Sequence, residues 1–288
     1  MAKRHLGRLT VLPSWTDRLH IFLGPRSVDL VRYSGGLKPK ELMRANQLCR
    51  EAKSNEAIWL PAIEAFEQLM FEQSGHADAY VYLSSHFVNY LRVQDQEGLS
   101  TRDEEEAYVR FCFSEIFGAQ SEQFILSWSG DVSMDPQVAS AVDKQLLSAI
   151  DRTLEPSSVI CRSIQPNFMT GFNLLVKDMA QDTQWYVFVE HGQVVISYFL
   201  NGVCKSIRKA RLSDHWRVEL PRLLVREFNA TELDLKQGSM MISVPDHMDA
   251  RSLSLDGWNV KIVKLDQTQL LTGHYVPVGI MEKSHAAP

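Results

Sequence analysis

The chain has 288 residues, 45% of them hydrophobic and 23% charged, which is enough apolar content for one large core or two modest ones and too much for a disordered or fibrous protein. A formal charge of −5 offers no general attraction to a phosphate backbone, so nucleic acid is not expected as a partner. No run approaches the roughly 18 apolar residues of a membrane span, the basic start MAKRHLGRLTVLP lacks the apolar stretch of a secretory signal, and Cys49, Cys112, Cys161 and Cys204 show no CxxC spacing. A cytoplasmic protein with reduced thiols is the expectation.

In chain order, Leu19, Ile21 and Leu23 alternate up to Gly24-Pro25, and Val28, Leu30, Val31 and Tyr33 continue to Ser34-Gly35-Gly36. This predicts a β-hairpin. Leu37 to Asn46 reads equally as a third strand or the start of a helix. Behind Pro61, the spacing of Ala62, Ile63, Phe66, Leu69 and Met70 predicts a helix, with the proline in its first turn. AYVYLSSHFVNYLRV alternates as two strands broken at Ser84-Ser85. In STRDEEEAYVRFCFSEIFG, Thr101 and Glu104 form a capping box, the acids suit the positive end of the helix dipole, and Gly118 ends the helix. The acidic run Asp103–Glu106 is thereby explained without a metal, since adjacent helical residues point in different directions. FILSWS is a short strand, and a third helix is expected from Asp135-Pro136, with Val138, Val142, Leu146, Ile150 and Leu154 along one face.

The second half opens with a strand to Gln165 and a helix from about Pro166. Three strands follow in TQWYVFVEHGQVVISYFLNGVCKSIRKARL, with turns at His191-Gly192 and Asn201-Gly202. A helix over SDHWRVELPRLLVREF would be capped by Ser213 or Asp214, and Pro221 inside it demands a kink or a split. SMMISVP and WNVKIVKL are the last strands, and the tail from Thr272 is poorly anchored. The two halves repeat one plan, an antiparallel meander followed by strands that arrive through helices. The chain is therefore read as α/β, with two related subdomains over residues 1–156 and 157–288, each a mixed sheet covered by helices. The cleft between them is the default ligand site.

Isolated chemical signals are few. Ser84-Ser85-His86 places a hydroxyl beside a base, but successive strand residues face opposite sides and no G-x-S-x-G elbow surrounds them, so a structural role is favoured. The histidines show no HExxH or paired ligand spacing, and no metal is expected. Arg208, Lys209 and Arg211, with Arg162, Arg217 and Arg222, form the main basic concentration. It reads as a solvated strand end or, functionally, as a dock for an acidic peptide or lipid headgroup. Trp15 precedes the first strand with little to bury it and is a candidate partner contact.

The order of elements, together with YLSSHFVNYLRV, EEEAYVRFCFSEIFG and SIQPNFMTGFN, resembles the actin-like (ribonuclease H-like) fold of bacterial pilus and secretion platforms over residues 17 to 265. The relatives it points to are the cytoplasmic actin-like protein of the type IV pilus alignment complex and the cytoplasmic domain of type II secretion protein L. In nucleotide-hydrolysing members the first hairpin carries Asp-x-Gly followed by small hydroxylated residues, the acid organising metal-bound water and the amides holding phosphate. Aligning Gly24 and Ser27 with that pattern puts Phe22 in the acid's place, and Pro25 removes an amide donor. In the second loop Glu190 takes the acidic position and Gly192 the glycine, while Gln193-Val194 replace the hydroxylated pair. A Glu can hold magnesium through water. The family's adenine-side Gly-Gly pair has no counterpart between residues 210 and 265, where Gly238 and Gly257 stand alone.

The resemblance thus implies a scaffold with no catalytic residue and no cofactor, set against the alternative of an actin-like ATPase that keeps ATP and magnesium in the inter-lobe cleft. It further implies a protein partner, the cytoplasmic tail of a single-span membrane protein that brings this chain to the inner membrane. It leaves open whether the machine is a pilus or a secretion system, and whether the protein self-associates as filament-forming relatives do.

Overall fold

The computed structural model describes residues 15–94, 98–99, 101–129, 138–175, 183–200, 203–230, 238–245, 248 and 258–265. The first hairpin forms as expected, with β1 (Asp17–Leu23) antiparallel to β2 (Ser27–Tyr33). The ambiguous stretch after it is a strand, β3 (Glu41–Leu48), because it completes the meander on the free edge of β2. The chain continues through α1 (Leu60–Phe71), β4 (Ala77–Leu83), β5 (Val88–Arg92), α2 (Arg102–Phe117), β6 (Phe124–Trp128), β7 (Val138–Asp143), α3 (Lys144–Leu154), β8 (Val159–Pro166) and α4 (Asn167–Leu175). The second half comprises β9 (Thr183–Glu190), β10 (Gln193–Leu200), β11 (Val203–Arg211), α5 (Trp216–Ala230), β12 (Gly238–Pro245) and β13 (Trp258–Leu265).

Two five-stranded sheets run β3-β2-β1-β4-β8 and β11-β10-β9-β12-β13. Counted within its own lobe, each sheet has the order third, second, first, fourth, fifth. In each, the meander strands pair antiparallel and the last two arrive parallel. The predicted duplication is therefore present strand for strand. Membership passes from the first sheet to the second after β8, inside the 157–288 span read as the second subdomain, because Val159–Pro166 pairs in parallel with β4. A three-stranded sheet, β5-β7-β6, is inserted between β4 and β8 and carries α2.

One reading of a helix is corrected. Val138 and Val142 lie in β7, and the third helix starts at Lys144, where the Asp143 carboxylate accepts from the Gln145 amide at 2.7 Å. A four-residue spacing fits an alternating strand as well as a helix, and here β7 wins because it lies between β5 and β6 with most of its residues buried. The expected start at Asp135-Pro136 lies outside the described residues, as do the Asn201-Gly202 turn and the tail from Thr272. In α5, Pro221 sits inside one helix without ending it. The lost hydrogen bond is offset by burial of Trp216, Leu220 and Leu224 on the second sheet, and the Ser213 hydroxyl accepts from the His215 amide ahead of the first turn. By contrast, α2 begins with the full Thr101–Glu104 capping box and ends at Gly118, whose φ is +57°.

Alternation sets the packing. Leu19, Ile21, Leu23, Val28 and Leu30 turn toward α1 and α3, where Phe66, Leu146 and Ile150 are fully buried. In the second lobe, Trp185, Val187 and Val189 face α5, while Tyr186 and Phe188 face Phe168 and Leu175 of α4. The linking helix thus covers the inner face of the second sheet. Strand β5 joins the parts. Val88 enters the first-lobe core, Tyr90 packs against Phe168 in the second-lobe core with ring centroids 5.2 Å apart, and Leu91 packs into the inserted subdomain.

Gly35 shows a local demand for glycine. A Cβ there would meet the Trp15 carbonyl oxygen at 2.3 Å, while the Gly35 amide donates to Asp17 Oδ1 at 3.2 Å and Arg32 holds Asp17 at 2.9 Å. Gly35→Ala is expected to lower stability by about 1–3 kcal/mol through overpacking, measured as a drop in the urea midpoint with an unchanged m-value.

Candidate functional site in the inter-lobe cleft

The turns after β1 and β9 face each other across a cavity of about 470 Å³. On the first-lobe side the turn is closed on itself. The Gly24 amide donates to the Ser27 carbonyl at 3.0 Å, and the Ser27 hydroxyl to Asp29 at 3.3 Å. Phe22 lies so close over Gly24 that a Cβ on the glycine would be 2.8 Å from its ring. With Pro25 lacking an N–H, two of the backbone donors that a phosphate would need at this bend are gone.

Glu190 ends β9 and is buried. One carboxylate oxygen accepts from the Ser85 amide at 2.7 Å and the Ser84 hydroxyl at 3.1 Å, and the other from Asn167 Nδ2 at 3.0 Å. Ser84 and Ser85 lie between β4 and β5, and Asn167 begins the linking helix α4, so one carboxylate ties β9 to a first-lobe turn and to the start of the linking helix. Beside it, His86 Nε2 bonds the His191 carbonyl at 2.9 Å, and Gly192 lies against the His86 ring with φ +79°. Three donors at bonding distance make Glu190 a satisfied acceptor rather than a vacant ligand. Both oxygens are engaged, Oε2 by two donors and Oε1 by one.

The basic triplet does not form one patch. Strand pairing puts Arg208 beside Ile196 on the face toward α5, and Lys209 beside Val195 on the opposite, inner face. Arg208 pairs with Glu227 of α5 at 3.2 Å. Lys209 sends its ammonium to the carbonyls of Ser85 and Val88 at 3.2 and 2.7 Å and to Asn89 Oδ1 at 3.2 Å. Desolvation pushes its pKa down to about 8, against the pull of Glu190, which raises it. Arg211 is exposed, Trp15 is 82% exposed, and Arg162 is held by Asp78 on the first sheet at 2.9 Å. Among the described residues no three His, Cys, Asp or Glu side chains converge as a metal site.

Sequence reasoning singled out Glu190 and noted Ser84-Ser85-His86 separately, but did not join them. Asn167 lies within the SIQPNFMTGFN segment, which marks a strand-to-helix boundary but gives no sign of a bond to Glu190. The partners lie 105 residues apart in the chain for Ser85 and Glu190, and no local pattern records such a meeting.

No family model matches the chain, and no curated protein matches it either. Solved structures do. The cytoplasmic domain of EpsL, an inner-membrane component of the type II secretion system of Vibrio cholerae, superposes with a TM-score of 0.59 at 11% identity, covering 89% of this chain and 93% of that one. A chain of the PilM–PilN type IV pilus biogenesis complex gives 0.61 at 14% identity, covering 85% and 88%. A Bacteroides thetaiotaomicron protein with an actin-like ATPase fold and unknown function gives 0.56 at 10%, covering 90% and 96%. With its duplicated sheets and its cleft between two facing turns, the chain has the actin-like fold of these structures.

Proposed function

We propose that this protein is a non-catalytic, cytoplasmic actin-like scaffold that docks the cytoplasmic tail of a membrane-anchored partner in a type IV pilus or type II secretion-like assembly. The observation that carries the reading is Glu190. The acid aligned with a magnesium position is spent on Ser84, Ser85 and Asn167, so the cleft is stitched where a nucleotide enzyme keeps a free carboxylate. Phe22 over Gly24 and the self-satisfied Gly24 amide support the same conclusion from the other lobe. The likeness to structures titled as secretion and pilus components supports the setting. Among the described residues no helix is long and apolar enough to cross a membrane, which fits attachment through a partner.

The alternative, an ATPase retaining ATP and magnesium, draws on one observation: the cavity between the two turns is of ligand size. Thermal unfolding with and without millimolar ATP and magnesium separates the two. A ligand at a hundred times its dissociation constant adds about 2.7 kcal/mol to stability, so a real site moves the midpoint by several degrees. The scaffold reading expects no movement, and a clear upward shift that requires both ATP and magnesium overturns it.

A further inference from the structure

The turn from Ser84 to Val88 has two working sides. Toward the cavity, Ser84 and His86 line the wall, and Ser84 and Ser85 hold Glu190. Away from it, the same backbone runs directly into β5, the first strand of the inserted three-stranded sheet. Ser85 connects the two sides within one residue, since its N–H donates to Glu190 and its carbonyl accepts from Lys209. Lys209 in turn clamps Val88 and Asn89, and further along β5 Arg92 donates to the Cys204 carbonyl of β11 at 3.3 Å. The second lobe therefore grips the turn through β9 on the cavity side and the insert through β11 on the other. Ser84 also donates its amide to the Leu23 carbonyl and accepts from Phe87, which fixes the turn to the end of β1.

We infer that the Ser84–Val88 turn is a joint that couples the inter-lobe cavity to the inserted β5-β7-β6 subdomain, so that a change at the Glu190 carboxylate alters how that subdomain sits on β11. The geometry has the two properties such coupling needs. The contacts form a continuous chain, Glu190 to Ser85 to Lys209 to β5. Each link is also a directional bond made to a buried turn, with Ser84, Ser85, Phe87 and Val88 all packed away from solvent, and close packing of this kind transmits a displacement to its neighbours. The inference is independent of what fills the cavity. It holds for a scaffold whose cavity is never occupied and for one regulated by a small molecule there.

Native-state amide hydrogen exchange tests it. Glu190→Gln keeps the side-chain shape but turns one acceptor into a donor, which then faces either Asn167 Nδ2 or the Ser84 hydroxyl and Ser85 amide, and it removes the negative charge near Lys209. The amides of β5 and β7 are expected to exchange about 5- to 150-fold faster in this variant, the range of typical inter-site coupling, while those pairing β2 with β3 keep their wild-type rates. Lys209→Met retains the stem and removes the ammonium. In that background the added effect of Glu190→Gln on β5 and β7 should vanish, because the link is already cut. Ser84→Ala is a milder disturbance on the cavity side and is expected to move the same amides in the same direction should Glu190→Gln fail to fold. Three results would overturn the joint: faster exchange confined to residues 84–86 and the β9–β10 turn, equal acceleration with and without Lys209, or uniform acceleration that includes β2 and β3.

Discussion

Replacing Glu190 with alanine lowers the unfolding free energy by about 3–5 kcal/mol, the range seen when one partner of a buried charged cluster is removed. The wild-type carboxylate accepts from Ser84, Ser85 and Asn167, all at least 90% buried. Alanine strands these three donors away from water, each at a cost of about 1–3 kcal/mol before relaxation. It also leaves the Lys209 ammonium without the nearby charge that supports it. Chemical denaturation at pH 7 measures the loss. In an enzyme that keeps this acid free for metal, the same substitution abolishes turnover with little change in stability, so a loss under 1 kcal/mol counts against the structural role of Glu190.

Acid destabilises the protein through His20. This side chain lies on the face of the first sheet opposite α1, stacked on Tyr80 at 5.3 Å and Tyr82 at 6.0 Å, edge-on to Tyr33, with Nδ1 3.1 Å from the Tyr82 hydroxyl. Burial, reinforced by the Arg18 charge, lowers its pKa from 6.5 to about 4. Between those values the unfolded chain takes up a proton that the folded one does not, so stability falls as pH drops through that window and the loss is complete below it. The loss amounts to about 3 kcal/mol at 1.36 kcal/mol per pKa unit. His20→Phe keeps the ring stack and gives up the Tyr82 bond. It should lose stability at pH 7 but show a shallower acid limb between pH 6.5 and 4 than the wild type. Parallel pH profiles for the two proteins would show that His20 is not the titrating group.

What could be read in advance follows from range. The first hairpin and the α2 capping box depend on residues a few positions apart, and both formed where expected. The meander of the second lobe was also readable strand by strand, because alternation and turn residues mark β9, β10 and β11. Val138 and Val142 were misassigned because a spacing of four fits two periods, and the deciding fact, their place between β5 and β6, is a pairing across the chain. β3 was undecided for the same reason. In the cleft the fate of Glu190 could not be read, since Ser85 lies 105 residues from it in the chain and Asn167 lies 23. The basic triplet shows the limit most directly. Arg208 and Lys209 are chemically alike in the sequence, yet strand alternation sends one to Glu227 and the other across to the Ser85 carbonyl.

A crystal structure of the full chain grown with ATP and magnesium tests the account most directly. The predicted result has the Glu190 carboxylate within hydrogen-bonding distance of the Ser85 amide and Asn167, with Phe22 over Gly24. A nucleotide whose phosphates rest on the Gly24 turn, with magnesium water held by a Glu190 released from Ser85, would contradict it.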